Sequence, residues 1–256
     1  MKTPAITLLL RYVPGIVFLF ALLALLEALS ATGMTNPAVL PPPTRVATRL
    51  GDILSSGAFL EPTLQTLAIL LSGWFIASLM AIVFGILMGY FQPAYRLFEP
   101  LVELIRPVPK PALIPPLFLL LGLGTAMQLA IVVLGAFFAV LIPTIQGVRG
   151  VDPIQLNVAR TFRAGTWRTI AYVVLPSALP MILSGMKVAL SLSLILAVLA
   201  EMLTGSGGLG AVIVNLQTLF RSADMYAWIV ILATVGFILV VGFETLERKA
   251  VFWLGR

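Results

Sequence analysis

Neither cysteine nor histidine occurs among the 256 residues of this chain. Their absence excludes disulfides, thiol nucleophiles, zinc sites of the usual kind and any imidazole acid or base. Charge is scarce as well: Asp, Glu, Lys and Arg make up 10% of the residues, against about 25% in a soluble domain. No G-x-x-x-x-G-K-S/T phosphate loop is present, so the chain does not hold ATP in that way. What is abundant is apolar surface, with 60% hydrophobic residues and a mean hydropathy of +1.10. Lipid rather than water is the main solvent, and at roughly 20 residues per spanning helix the chain can hold up to about six spans. The formal net charge of +6 is spread among loops between apolar segments, which argues against a nucleic-acid partner.

The hydropathy pattern predicts an all-α polytopic membrane protein with helices at about 12–31, 65–89, 99–121, 126–147, 178–202 and 226–245. A single transmembrane domain over 1–256 is expected, with its core at 65–245. The first stretch resembles a signal peptide in outline, but its apolar core is long and Ala28-Leu29-Ser30 matches a cleavage site loosely, so it reads as a retained span. In the third, Pro107, Pro109, Pro111, Pro115 and Pro116 predict an irregular first half, which at membrane depth requires contact with protein or a watery cavity. With both termini cytoplasmic, Lys2, Arg11, Arg96, Arg149, Arg160, Arg163, Arg168, Arg248, Lys249 and Arg256 fall inside, and only Arg45, Arg49 and Arg221 outside. Between the first two spans, Val46, Leu50, Ile53 and Leu54 follow a proline-rich run at helical spacing and predict an interfacial amphipathic helix. The outer segment 203–225 opens with Gly205-Ser206-Gly207-Gly208-Leu209-Gly210, a dinucleotide fingerprint by letters alone; lacking a strand before it, it reads as a flexible turn.

The inner loop 150–176 is too long for a simple connection. Asp152-Pro153 is a helix start, after which Leu156, Ala159 and Phe162 are expected on one face and Arg160 and Arg163 elsewhere. Aligned on Leu175-Pro176, the loop resembles the coupling motif E-A-A-x-x-x-G-x(9)-I-x-L-P of ABC importer permeases. Asn157-Val158-Ala159 takes the E-A-A place, Arg163 the glycine place and Val173 the isoleucine place, while Gly165 lies two residues beyond the expected turn. Arg106-Pro107-Val108-Pro109, Gly147 to Pro153, Leu175 to Pro180, Ala200-Glu201 and Gly207 to Gly210 are similar to blocks of the nitrate, sulfonate and taurine permease family.

That resemblance implies a type I importer permease fold in the bacterial inner membrane. It also implies a second permease chain, two ATPase subunits carrying the ATP and Mg that this chain lacks, and an outer-side solute-binding protein. The solute would be a small oxyanion such as nitrate, a sulfonate or taurine, or alternatively a pyrimidine or riboflavin-like nutrient. Leu156, Asn157, Ala159, Arg160, Phe162, Arg163, Gly165 and Trp167 are the implied ATPase-coupling residues.

Charged and polar residues within spans are costly and mark pathways or structural pairs. Lys187 with Ser184 and Ser191 on one helical face is a candidate for the translocation pathway, set against a Lys that pairs with a carboxylate; Glu201 is a candidate for the outer gate. An ion-coupled carrier would show inverted repeats with broken helices, which the sequence lacks. An intramembrane enzyme would need a serine-lysine constellation, which is equally missing.

Overall fold

The computed structural model describes residues 5–34 and 36–251; Lys2 and Arg256, counted above as inner charges, lie outside them. All regular structure among the described residues is helical: α1 Ala5–Ala31, α2 Pro43–Ser56, α3 Leu60–Tyr90, α4 Gln92–Ile105, α5 Ile114–Leu121, α6 Thr125–Arg149, α7 Pro153–Thr161, α8 Thr166–Thr169, α9 Leu175–Thr204, α10 Gly208–Thr218 and α11 Ser222–Ala250. A 3₁₀ turn, Lys110–Leu113, leads into α5, and a π-helical turn, Ile170–Val174, joins α8 to α9. Val13–Ala31, α3, α6, Thr166–Thr204 and α11 are each long and apolar enough to cross a membrane, and α4 with Lys110–Leu121, bent by 89°, supplies a sixth span if the pair is counted as one.

That bend corrects the expected third span. The first half is a regular helix that runs through Pro100, and the irregularity is confined to the junction after Ile105. Backbone chemistry explains why the chain can break there. Pro107, Pro109 and Pro111 have no N–H to leave unpaired, and the Lys110 ammonium donates to the carbonyl oxygens of Ile105 (3.0 Å) and Arg106 (3.4 Å) that the break exposes. Lys110 also lies 4.5 Å from the centre of the Phe138 ring, a cation–π contact that keeps the charge against protein.

The chain forms two compact units. One comprises Met1–Leu60 and Val212–Ile231. Within it, the Glu27 carboxylate of α1 accepts from the Thr44 backbone N–H (3.0 Å) and from Thr44 Oγ1 (2.8 Å), so it caps the N-terminus of α2 with a charge of the favourable sign. The α2 helix is amphipathic and carries no buried residue, in keeping with the expected interfacial element, and it stops at Gly57 in the left-handed conformation.

The other unit comprises Glu61–Ala211 and Leu232–Arg256. Its centre is the packing of α3 and α9 on α6. Along α3, Gly73, Ala77, Ala81, Gly85 and Gly89 recur every four residues, one stripe of minimal side chains. A Cβ on Gly73 would lie 2.6 Å from Val132, one on Gly85 2.5 Å from Thr144 and one on Gly89 2.6 Å from Val148, so α3 and α6 approach to backbone contact. On the other side of α6, Gly147 meets Ala178, and Gly185 meets the Ala139 carbonyl and Pro143. Trp74 of α3 donates from its indole to the Met186 carbonyl of α9 (2.9 Å), which satisfies its one polar atom.

The expected flexible turn at 205–210 is short, and a helix begins at once. The N–H groups of Gly208, Leu209 and Gly210, orphaned by position at the start of α10, donate to Gln65 Oε1 (2.8 Å), Thr66 Oγ1 (2.9 Å) and Glu201 Oε2 (2.9 Å). Thr66 Oγ1 in turn donates to Glu201 Oε2 at 3.0 Å. Gly208 is required here for two reasons: its φ is +84°, and a Cβ would collide with the Glu201 carboxylate. Gln128 of α6 completes the anchorage by donating to Thr204 Oγ1 (2.8 Å) and Ser206 Oγ (3.0 Å).

Close approach along the α3 stripe makes a definite demand on side-chain size. Gly85→Ala is expected to destabilise the protein by about 1–3 kcal/mol through overpacking, whereas Gly242→Ala, whose new methyl group would have nothing within 4 Å, is expected to be neutral. Thermal unfolding midpoints of the two variants in the same detergent check this, and equal midpoints would refute the close approach.

Candidate functional site

The segment 150–176 leaves the end of α6 and returns into α9 through α7 and α8. Asp152 caps α7, its carboxylate accepting from the Ile154 N–H at 2.8 Å, and Pro153 occupies the first helical position. At the other end of α7 the Ala164 N–H donates to the Ala159 carbonyl and the Arg163 N–H to the Arg160 carbonyl, each at 2.9 Å. This is a Schellman closure, and its left-handed position falls on Arg163, with φ 51°. The turn therefore lies at the residue that stands in the motif's glycine place. Gly165 does not take it over: it is extended, with φ −64° and ψ 161°, and serves as the N-cap of α8.

The structure divides the expected apolar face of α7. Ala159 is buried and Leu156 half-buried, the latter packed on a cluster of Val148, Val151, Val174, Ala178 and Ile182 that roots the loop in the spans. Phe162 points the other way, 81% exposed. Three-residue steps explain the division, since they sweep roughly 120° around a helix over two intervals, wide enough to straddle the protein surface. The exposed ridge is instead Ile154, Val158 and Phe162, at strict four-residue spacing; Trp167 and Tyr172 are likewise 81% and 80% exposed. Ile154, Val158 and Tyr172 escaped sequence reasoning, although the i, i+4, i+8 recurrence of Ile154, Val158 and Phe162 signals the first two.

Between this ridge and the 164–177 segment lies an open, mainly apolar cleft of about 710 Å³, with Phe162, Tyr172 and Val173 among its walls and Arg168 at its edge. On the opposite side of α7 is a polar recess of about 530 Å³ that contains Arg149 and Arg160. Arg160 donates to Asn157 Oδ1 (3.3 Å), and Arg149 stacks 3.9 Å from the centre of the Tyr95 ring. The loop thus presents an apolar ridge on one side of α7 and an arginine-lined recess on the other, on a doubly capped helix.

The three span residues are not brought together. Lys187 is ion-paired with Glu244 of α11, Ser191 is exposed, and Glu201 is 1% exposed within the α10 anchorage. Lys187 and Glu201 are separated by roughly 21 Å along the helix axis.

A family model described as binding-protein-dependent transport system inner membrane component matches residues 81–249. A protein of Methanocaldococcus jannaschii assigned as an ABC transporter permease is 34% identical over 238 residues, covering 91% of this chain and 89% of that one. The taurine transport system permease of Escherichia coli is 30% identical over 227 residues, covering 87% of this chain and 82% of the relative. Among solved structures, an inward-facing form of the MetNI methionine ABC transporter aligns with TM-score 0.65 and 19% identity over 77% of this chain and 96% of that one, a likeness of fold. Helices that cross the membrane several times, a capped loop in the motif's place and these likenesses agree: the chain belongs to the binding-protein-dependent transport system inner membrane component family and is a multi-pass permease subunit of an ABC importer.

Proposed function

We propose that residues 150–176 are the cytoplasmic coupling element of this permease and that α7 docks by its Ile154, Val158 and Phe162 ridge into a groove of a separate ATPase subunit. The observation that carries the reading is the combination of an exposed apolar ridge with a rigid base: large apolar side chains stand in water on a helix that is capped at both ends and rooted by Leu156 and Ala159. Such a surface gains from burial against a partner. Asn157 and Arg163 supply polar rim, Arg160 contributes from the recess on the far side of α7, and Trp167 beyond the Gly165 cap adds an aromatic anchor. Two copies of the permease, two ATPase subunits that bind ATP and Mg, and an outer-side solute-binding protein complete the importer. Closure of the ATPases pulls on α7, and the π-helical turn passes the movement to α9.

The solute we assign is a small sulfonate of the taurine kind, supported by the E. coli relative. The exposed face of α9 with Ser184 and Ser191 is the proposed wall of the pathway, Lys187 beside it is held by Glu244, and Glu201 acts on the outer gate by holding α10.

Three outcomes are expected. Phe162→Asp should leave expression and folding intact, because the side chain is solvent-exposed in the isolated chain. By placing an unpaired carboxylate in the docked interface, it should lower ATPase capture about a hundredfold or more. Pull-down together with solute-stimulated ATPase activity in proteoliposomes reads this, and wild-type values in both would remove the ridge from the interface. Arg163→Gly should keep the complex assembled and raise stability by about 1 kcal/mol, since glycine occupies the left-handed position without strain; a lowered unfolding midpoint would mean that the arginine side chain makes a needed contact. Finally, reporters near Arg160 and after Arg256 should read cytoplasmic and one near Asn36 external, the arrangement that the lysine and arginine bias requires; an external Arg160 would invert the scheme.

A further inference from the structure

The three basic residues that topology assigns to the outer side, Arg45, Arg49 and Arg221, are far apart in sequence, yet they line one pocket. This pocket, of about 360 Å³, lies within the unit formed by the N-terminal segment and residues 212–231, and Phe220, Ser222 and Asp224 share its walls. Arg45 and Arg49 are one turn apart on α2 and so project on the same side. Arg221 comes from the connection between α10 and α11. Ser222 Oγ donates to the Ala38 carbonyl, which ties that connection to the 36–40 turn and closes the pocket floor.

Charge in the pocket is not balanced. Asp224 Oδ2 lies 3.2 Å from Arg221, and its Oδ1 3.8 Å from Arg49. Arg49 has a second, exposed contact with Asp52 at 3.5 Å. Arg45 has no carboxylate or hydrogen-bond partner for its guanidinium among the described residues, so three arginines face one lining carboxylate. The backbone at the pocket mouth is also strained: Phe220 holds φ 54° at the close of α10, where the Phe220 N–H donates to Gln217 and the Arg221 N–H to Leu216. A non-glycine residue in that conformation is costly, and such strain concentrates where a site is held in shape.

We propose that this pocket binds a single tetrahedral oxyanion group, a phosphate or sulfonate carried by a lipid headgroup or by a free solute, with Arg45 as its principal ligand and Arg49 and Arg221 completing the cradle. Guanidinium forks converging from two segments suit the paired oxygens of such a group better than a lone ammonium would. The recess is large enough for the group and a short substituent, and the exposed Phe220 ring offers an apolar rim for that substituent. The outward placement of the pocket rests on the topology proposed above; the binding does not.

The test uses the full chain without its ATPase. One arm titrates ethanesulfonate into the protein in phosphatidylcholine nanodiscs; the other measures retained phosphatidylglycerol by native mass spectrometry. Arg45→Gln should weaken binding about tenfold or more, as expected for loss of a charge-assisted hydrogen bond, and Arg45→Lys should restore part of it. Arg45 breaks no ion pair when replaced, so the fold is spared. A tenfold loss in the ethanesulfonate arm supports a solute site, and one in the lipid arm supports a headgroup site. Equal binding by wild type and Arg45→Gln in both arms overturns the proposal. So does loss of solute-binding-protein capture in Arg45→Gln with no small-anion binding, which would assign the arginines to a protein interface. In this cysteine-free chain, Ala47→Cys labelled by an impermeant maleimide reports the side of the membrane; labelling only from inside would sink the topology and leave anion binding standing.

Discussion

Backbone polar groups inside a bilayer have no water to turn to, so every interruption of a helix must be satisfied by the protein itself. This requirement organises the unit built around α6. Where the helical path breaks after Ile105, prolines remove donors and the Lys110 ammonium covers the exposed carbonyls. Where it breaks after Thr204, the side chains of Gln65, Thr66 and Glu201 receive the three N–H groups that begin α10. A buried carboxylate is expensive unless its hydrogen bonds are made. Glu201 makes two, to Gly210 and Thr66, and through them joins α3, α9 and α10. The small-residue stripe of α3 is the companion condition, since only close helices let such short side chains reach across.

Much of the architecture was legible because hydropathy and helix caps are local signals. The spans other than the bent third, the amphipathic α2 and the Asp152-Pro153 start of α7 emerged from the sequence for that reason. The short helix α10 did not. Its glycines read as a turn because their value lies in a distant partner, the Glu201 carboxylate, which excludes a Cβ at Gly208. The site was half legible. Periodicity located the loop and its helix, but the boundary between buried and exposed faces of α7 depends on a cluster that joins Val151 and Val174 of the loop to Val148, Ala178 and Ile182 of the flanking helices, a contact that helical spacing within α7 does not contain. Arg163 is the converse case: the letter departs from the motif while the backbone keeps the motif's conformation.

Besides Lys110, the charged residues Lys187, Glu244, Glu27 and Glu201 separate into two kinds once their partners are known. Lys187 and Glu244 neutralise each other between α9 and α11, and Glu27 and Glu201 both bind the start of a following helix. Carboxylates at helix N-termini meet the positive end of the backbone dipole, so Glu27 and Glu201 act as fasteners for the short helices α2 and α10. In the pocket of the N-terminal unit the balance is different, since Arg45, Arg49 and Arg221 share one lining carboxylate, Asp224.

The π-helical turn at Ile170–Val174 has a geometric consequence for how the loop and the spans address each other. A wide turn adds about one residue to the helical count, which offsets the angular frame of α8 from that of α9 by roughly 100°. The azimuth of the exposed ridge is therefore not inherited from the rotational setting of α9. A single-residue deletion there would restore an unbroken α-helix and swing the ridge through more than a quarter of a circle, with every contact residue still present. In this permease five residues set the bearing of the exposed ridge.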